Sequence, residues 1–395
     1  MKPFPQRLRT LELGNRYWAA VFVAFFCAYL VPFGSGPTKA VFYLGIALPS
    51  ILLSTRQDYL QLVCGRHFLA TATLCVYALV RAANQDTALN ILEFVGALLA
   101  LTLGALKLPT LSVTTVKRTT LLLLIALFTY VLANAGHQGI SLGWKPGLRL
   151  APLFGNMKSV IFCTDLIISA LVVYSWCCLS ERNYRSLFVA NAIVIAAALW
   201  ILQSRSALPV WLGSMTILLA VSTSTEDRKR VLLYLALLLA AIAVLSGGIL
   251  PTLFARGDSY RLEIWSGYLS SMRKCSILFG CGWGIEIPFT TADGTAIAHP
   301  HSMYVQHLFT GGVIGLALLL IALGLPLLAG IRRAHYAAWA LLPGCIAMAF
   351  DGKNLISLPN ERWFLVTVPL ALLIADLSKP TATCASAVAN SPHHQ

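Results

Sequence analysis

Long apolar runs almost free of charge dominate the chain, and many approach the length of a bilayer crossing. A spanning helix needs roughly 20 mainly apolar residues, because without water every backbone polar group must be bonded within the segment. About twelve such runs occur, at approximately 17–34, 39–54, 67–82, 88–106, 119–135, 159–180, 187–203, 206–222, 231–250, 303–329, 336–350 and 363–377. With 58% hydrophobic and 11% charged residues, both a soluble globular enzyme and a disordered chain are excluded. The expected fold is an all-α polytopic membrane protein of about twelve transmembrane helices with one large outer loop containing amphipathic helices.

The net charge of +14 could suggest nucleic acid as a partner. The basic residues lie in short connections between apolar runs, however, which is the pattern of topology signals and contacts with anionic membrane lipids. Nucleic acid is therefore not an expected partner. Placing the N-terminus in the cytoplasm puts the clusters Lys117-Arg118, Arg228-Lys229-Arg230 and Arg332-Arg333 on cytoplasmic connections. The stretch from Lys2 to Arg9 precedes a first span without a small-residue cleavage pattern, and so reads as a retained anchor. Four regions follow: an N-terminal bundle of about nine spans (1–250), an outer loop (251–302), C-terminal transmembrane helices (303–377) and a cytoplasmic tail (378–395).

The loop at 251–302 is far longer than the other connections, and long loops tend to carry function. Asp258 or Ser259 is placed to cap a helix in which Leu262, Trp265, Leu269 and Met272 recur at helical spacing, with Arg261, Arg273 and Lys274 on other faces. Such a helix would lie on the membrane surface or over a cavity. Of the ten cysteines, Cys275 and Cys281 share this polar loop, where a disulfide depends on an oxidising compartment.

Scarce cations also sit on the expected outer side: Arg205 in the tight connection Gln203-Ser204-Arg205-Ser206, then Arg256, Arg261, Arg273 and Lys274. Guanidinium groups grip phosphate oxygens through planar, bidentate hydrogen bonds, whereas the alternative for each is snorkelling to the headgroups. Arg205 and Arg261 are the stronger candidates for phosphate binding, with Arg256, Arg273 and Lys274 behind them. The segment from His299 to His307 holds three histidines that could accept a proton near neutral pH. His299 and His307 read as capping or packing residues, and His301 as the candidate base. No carboxylate stands at a recognised ligand spacing from them, so neither a metal nor another cofactor is expected. There is no phosphate-binding P-loop and no D-x-D motif, and Gly280-x-Gly282-x-Gly284 lacks the context of a dinucleotide fingerprint and reads as a flexible turn.

His301-Ser302 is followed by nine residues, Gly312, two residues and Gly315. This spacing resembles the histidine-glycine motif of the O-antigen ligases, within the wider group of O-antigen polymerases and O-linked protein oligosaccharyltransferases. Ser204-Arg205-Ser206 is similar to that family's Ser-Arg-small segment, and Arg261-Leu262-Glu263-Ile264-Trp265 with Gly280-Cys281-Gly282-Trp283-Gly284 resembles its R-x-x-I-W and glycine-rich pieces. The resemblance covers roughly 200 to 315, plus the overall count and topology of spans. It implies a multi-pass protein of the Gram-negative inner membrane whose active site lies in a periplasmic loop. The implied reaction moves O-antigen glycan from undecaprenyl diphosphate to lipid A-core oligosaccharide in lipopolysaccharide biosynthesis, with Arg205, Arg261 and His301 at the active site. Needing neither nucleotide nor metal, the reaction would proceed with inversion, His301 acting as general base while Arg205 and Arg261 bind the diphosphate. A polymerase or a protein oligosaccharyltransferase is the alternative within the group. A secondary transporter is the alternative outside it, although no half-to-half similarity supports one.

Overall fold

The computed structural model describes residues 13–30, 35–143, 150, 157, 159–222, 225–245, 260–285, 289–290, 294 and 296–379. Each of the twelve apolar runs carries a helix. The N-terminal part holds α1 (Leu13–Leu30), α2 (Ser35–Ala40, the π-helical Val41–Ala47 and Leu48–Leu53), α3 (Arg56–Val63), α4 (Arg66–Val80) and α5 (Gln85–Leu106). The middle holds α6 (Val113–Leu142), α7 (Val160–Ser180), α8 (Tyr184–Trp200), α9 (Ala207–Ser222) and α10 (Thr225–Leu245). Then come α11 (Arg261–Ser271), α12 (Met303–Arg332), α13 (Tyr336–Phe350) and α14 (Thr367–Ser378).

By length and apolarity, five of the described helices can cross a membrane, or six if the bent pair α3–α4 is one span. Tyr17–Leu30, Tyr184–Trp200, Ala207–Ser222 and Tyr336–Phe350 are apolar but shorter. The expected count of twelve thus corresponds to twelve helical regions of unequal reach.

Helices begin where the sequence supplies a side-chain oxygen for the unpaired amides of a first turn. Thr55 and Asp58 form a capping box on α3, Asn84 accepts from the Thr87 amide at 2.8 Å, and Ser302 opens α12 by accepting from Val305. Helix α7 is apolar all round and every residue from Phe162 to Leu179 is buried, as expected of a helix at the centre of a bundle. It packs against α6, α8, α9 and α13. Its few polar side chains reach neighbouring helices: Ser169 donates to the Ala340 carbonyl at 2.8 Å, and Ser175 accepts from Asn191, which in turn accepts from the Trp211 indole at 2.7 Å.

Helix α12 is broken at Gly312, whose φ of 65° and ψ of −164° interrupt the i→i−4 ladder. The disulfide-closed loop of Cys275 and Cys281 repairs the gap. Cys281 and Gly282 donate to the stranded carbonyls of Phe309 and Thr310, both at 2.9 Å, while the amides of Val313 and Ile314 donate to Ile277 and Leu278 at 3.0 and 3.2 Å. A Cβ at Gly312 would lie 2.3 Å from the Leu278 carbonyl oxygen, and one at Gly280 would lie 2.5 Å from the Gly312 amide nitrogen. The expectation of a turn at Gly280, Gly282 and Gly284 fits their positive φ values of 68°, 109° and 88°, and Gly280 in addition admits the α12 backbone. Trp283 closes the junction by accepting from the Ala83 amide at 2.7 Å and donating to the Arg81 carbonyl at 2.9 Å.

The face expected for α11 also needs correcting. Ile264, Tyr268 and the following Met272 are buried around Phe309 of α12, whereas Leu262 and Leu269 point outward and Trp265 is half-buried. Both seams satisfy helical spacing, and docking on Phe309 selects the one four residues apart. A short antiparallel pair, β1 (Phe289–Thr290) and β2 (Ala296–Ile297), lies between α11 and α12, adding a small strand element to a helical molecule.

Candidate active site

The start of α7, the link from α8 to α9, the first residue of α11, the segment before α12 and the end of α13 converge at one end of the bundle. In the α8–α9 link, Ser204 and Ser206 are buried and share a hydrogen bond of 3.0 Å, and Ser206 donates to Asp165 of α7 at 3.2 Å. Arg205 stands between these serines and is half-buried. Asp165, fully buried, is within electrostatic reach of Arg261 and Asp351. Asp351, just past α13, lies 3.2 Å from Nδ1 of His301. Arg261 and His301 are thus each placed near these two carboxylates, which sequence reasoning missed, while Arg205 is placed by its backbone position between the two serines.

Backbone strain concentrates in the same segments. Gln203, Tyr260 and His301 adopt φ values of 48°, 59° and 51°, a region that side chains with a Cβ rarely occupy. Such conformations cost about 1–3 kcal/mol each and persist where surrounding structure enforces them. Here the Trp265 indole donates to the Pro300 carbonyl at 2.9 Å, tying α11 to the histidine segment, and Ser302 fixes the next residue as a helix cap.

His301 is half-buried, and its ring lies 4.2 Å from that of His299 between centroids. Burial and the neighbouring His301 push the His299 imidazole down to about 4, so it is neutral at pH 7. His307 is fully buried with Nδ1 2.9 Å from the Met303 carbonyl, in keeping with the packing role expected for it. Gly312 and Gly315 are buried in α12, and a Cβ at Gly315 would come within 3.2 Å of the His307 carbonyl and the Trp283 ring. The motif glycines therefore permit close packing against α12. Arg273 and Lys274 are exposed past the far end of α11, about 18 Å from Arg261 at 1.5 Å per residue. Arg256 lies outside the described residues, as do Asp258, Ser259, Arg149 and Lys158.

No family model matches the chain. Over 221 residues it is 31% identical to a Pseudomonas aeruginosa protein named O-antigen ligase, a match covering 49% of this chain and 55% of that protein. The likeness supports membership of the O-antigen ligase family. The chain spans about half the length of the curated relative it matches.

One signal for the missed carboxylates was available in the sequence. An ionisable residue inside an apolar run carries a functional prior, and Asp165 stands in the run 159–180. Asp351 had no comparable mark, because it lies in a connection among other polar residues. Its pairing with His301 across 50 residues exists only once α12 and α13 have packed.

Proposed function

We propose that the protein is an inner-membrane glycosyltransferase that moves O-antigen glycan from undecaprenyl diphosphate to lipid A-core oligosaccharide, with its active site facing the periplasm. The observation that carries this reading is the convergence of Arg261, His301 and the Ser204-Arg205-Ser206 link on Asp165 and Asp351. The Cys275–Cys281 disulfide supports placing the loop in an oxidising compartment.

The donor sugar is joined to a diphosphate, already a good leaving group, so the reaction needs no nucleotide. Arg205 and Arg261 act as fixed cations for the charge that develops as the carbon–oxygen bond breaks, each worth about a hundred- to a thousandfold in rate. The acceptor hydroxyl is a poor nucleophile until a base takes its proton. With Nδ1 of His301 directed at Asp351, Nε2 is the nitrogen that removes it, and Asp351 holds the ring and stabilises the imidazolium. The acceptor oxygen bonds to the sugar carbon as undecaprenyl diphosphate leaves, giving inversion without a sugar on the protein. Arg273 and Lys274 are assigned to the outer approach, where basic side chains attract an anionic substrate, and Arg256 is assigned the same attraction from the sequence alone.

Purified protein in nanodiscs, supplied with lipid-linked donor and lipid A-core but neither nucleotide nor divalent metal, is expected to yield the joined product with an inverted anomeric centre. Donor glycans joined to one another would mean a polymerase instead. A trapped glycosyl-enzyme, or retained configuration, would overturn the mechanism.

A further inference from the structure

Beside the histidine segment lies a cavity of about 420 Å³ that the reading above leaves without an occupant. It is lined by Lys353 and Arg362 and by the amides of Asn90, Gln306, Asn354 and Asn360. These come from α5, α12 and the connection between α13 and α14, so three parts of the chain build it together. The Trp283 indole forms another part of the wall.

Several lining groups have hydrogen-bonding capacity to spare. Nε of Arg362 and Nε1 of Trp283 are buried and have no hydrogen-bond partner. Among the described residues no oxygen accepts from the Arg362 guanidinium, which lies 5.5 Å from the centre of the Phe162 ring. Gln306 is buried and lines the cavity, and its side-chain carboxamide likewise bonds to no described residue. Unsatisfied buried donors are uncommon, and a ligand explains several at once. A guanidinium and an ammonium call for an anion, whereas four carboxamides and an indole suit a ring bearing many hydroxyls. The cavity is also of small-ligand size.

Its position indicates which substrate it would take. His299, whose ring touches that of His301, is within electrostatic reach of Asp351, Lys353 and Arg362 together. Lys353 follows Asp351 by two residues. The chamber therefore lies on the imidazole side of the site, while Arg261 is within electrostatic reach of Asp165.

We propose that this chamber is a subsite for an anionic saccharide, the phosphate- or carboxylate-bearing sugar of the acceptor, which Arg362 and Lys353 anchor so that a neighbouring hydroxyl meets His301. The proposal rests on the glycosyl-transfer reading, yet it can be tested apart from it because binding alone is measured.

The test uses the full chain in phosphatidylcholine nanodiscs and two probes: delipidated, phosphorylated core oligosaccharide and the same material after removal of phosphate. Calorimetric titration is expected to show the phosphorylated probe binding at least tenfold more tightly. Arg362→Gln and Lys353→Gln should each erase most of that preference, and Arg362→Lys should restore part of it. Using two sites keeps the test decisive if one variant misfolds. Equal affinity of the two probes for the wild type, or an undiminished preference in the folded glutamine variants, overturns the proposal. Full displacement by an equal concentration of inorganic phosphate would make this a plain anion site. Loss of binding in phosphatidylglycerol nanodiscs would assign it to a lipid headgroup, and either result also overturns the saccharide assignment. A protein that binds the probe but never forms joined product would sink the ligase reading and leave the subsite standing.

Discussion

The two ends of the helical bundle handle charge differently. At the end away from His301, cations meet carboxylates directly: Lys107 with Asp58 and Lys117 with Glu181, both at 2.6 Å, and Lys379 with Asp376 at 3.6 Å. At the His301 end, Asp165 accepts from the hydroxyl of Ser206 and Asp351 pairs with an imidazole. The first arrangement neutralises charge within the protein. The second holds two carboxylates and a guanidinium within electrostatic reach of one another, an arrangement typical of functional sites.

If this contrast is functional, the largest effect belongs to the imidazole. His301→Ala should lower joined product by about a hundred- to ten-thousandfold without loss of folded protein. Quantifying product from lipid-linked donor and lipid A-core checks this, and near-normal turnover would remove His301 from the mechanism. Arg205→Lys and Arg261→Lys retain charge but lose the planar fork, and each should cut the rate by about ten- to a hundredfold, part of the loss expected for a deleted oriented donor. Rates equal to wild type would mean that these arginines only anchor the bundle.

The comparison can be sharpened on the backbone. Gly312→Ala combines a positive φ with a Cβ 2.3 Å from a carbonyl oxygen, and should destabilise the fold by about 1–3 kcal/mol or more. Gly136→Ala, in α6 with nothing within 4 Å of the added carbon, should stay within about 1 kcal/mol of wild type. Thermal unfolding of the two variants in the same nanodiscs separates them, and equal stability would deny the interlock its importance. The smallest effect is expected at the far end, where Lys117→Ala removes a partly exposed ion pair worth about 0–1 kcal/mol and should leave turnover unchanged.

The helices were legible in the sequence because the apolar runs are long and bounded by capping residues, as at Asn84, Ser112 and Ser159. Arg205, Arg261 and His301 were legible because each stands in a recognisable segment. The α11 face was misread because Leu262–Trp265–Leu269 and Ile264–Tyr268–Met272 are both apolar at helical spacing, and only the position of Phe309 decides between them. The close backbone approach at Gly280 was not legible for a related reason. A glycine that permits a bend and a glycine that admits another backbone look alike until the second backbone is in place. Lys353 and Arg362 escaped notice because they share a short connection with no motif, and their common cavity is assembled with α5 and α12.

The break in α12 bears on how substrates reach the interior. Detaching the Cys275–Cys281 loop would strand two carbonyls and two amides of α12 together with their partners in the loop, so this segment is ill suited to swing aside during turnover. Traffic of a bulky glycan must be accommodated by other parts of the molecule, and crosslinking this loop to α12 should leave the catalytic cycle intact.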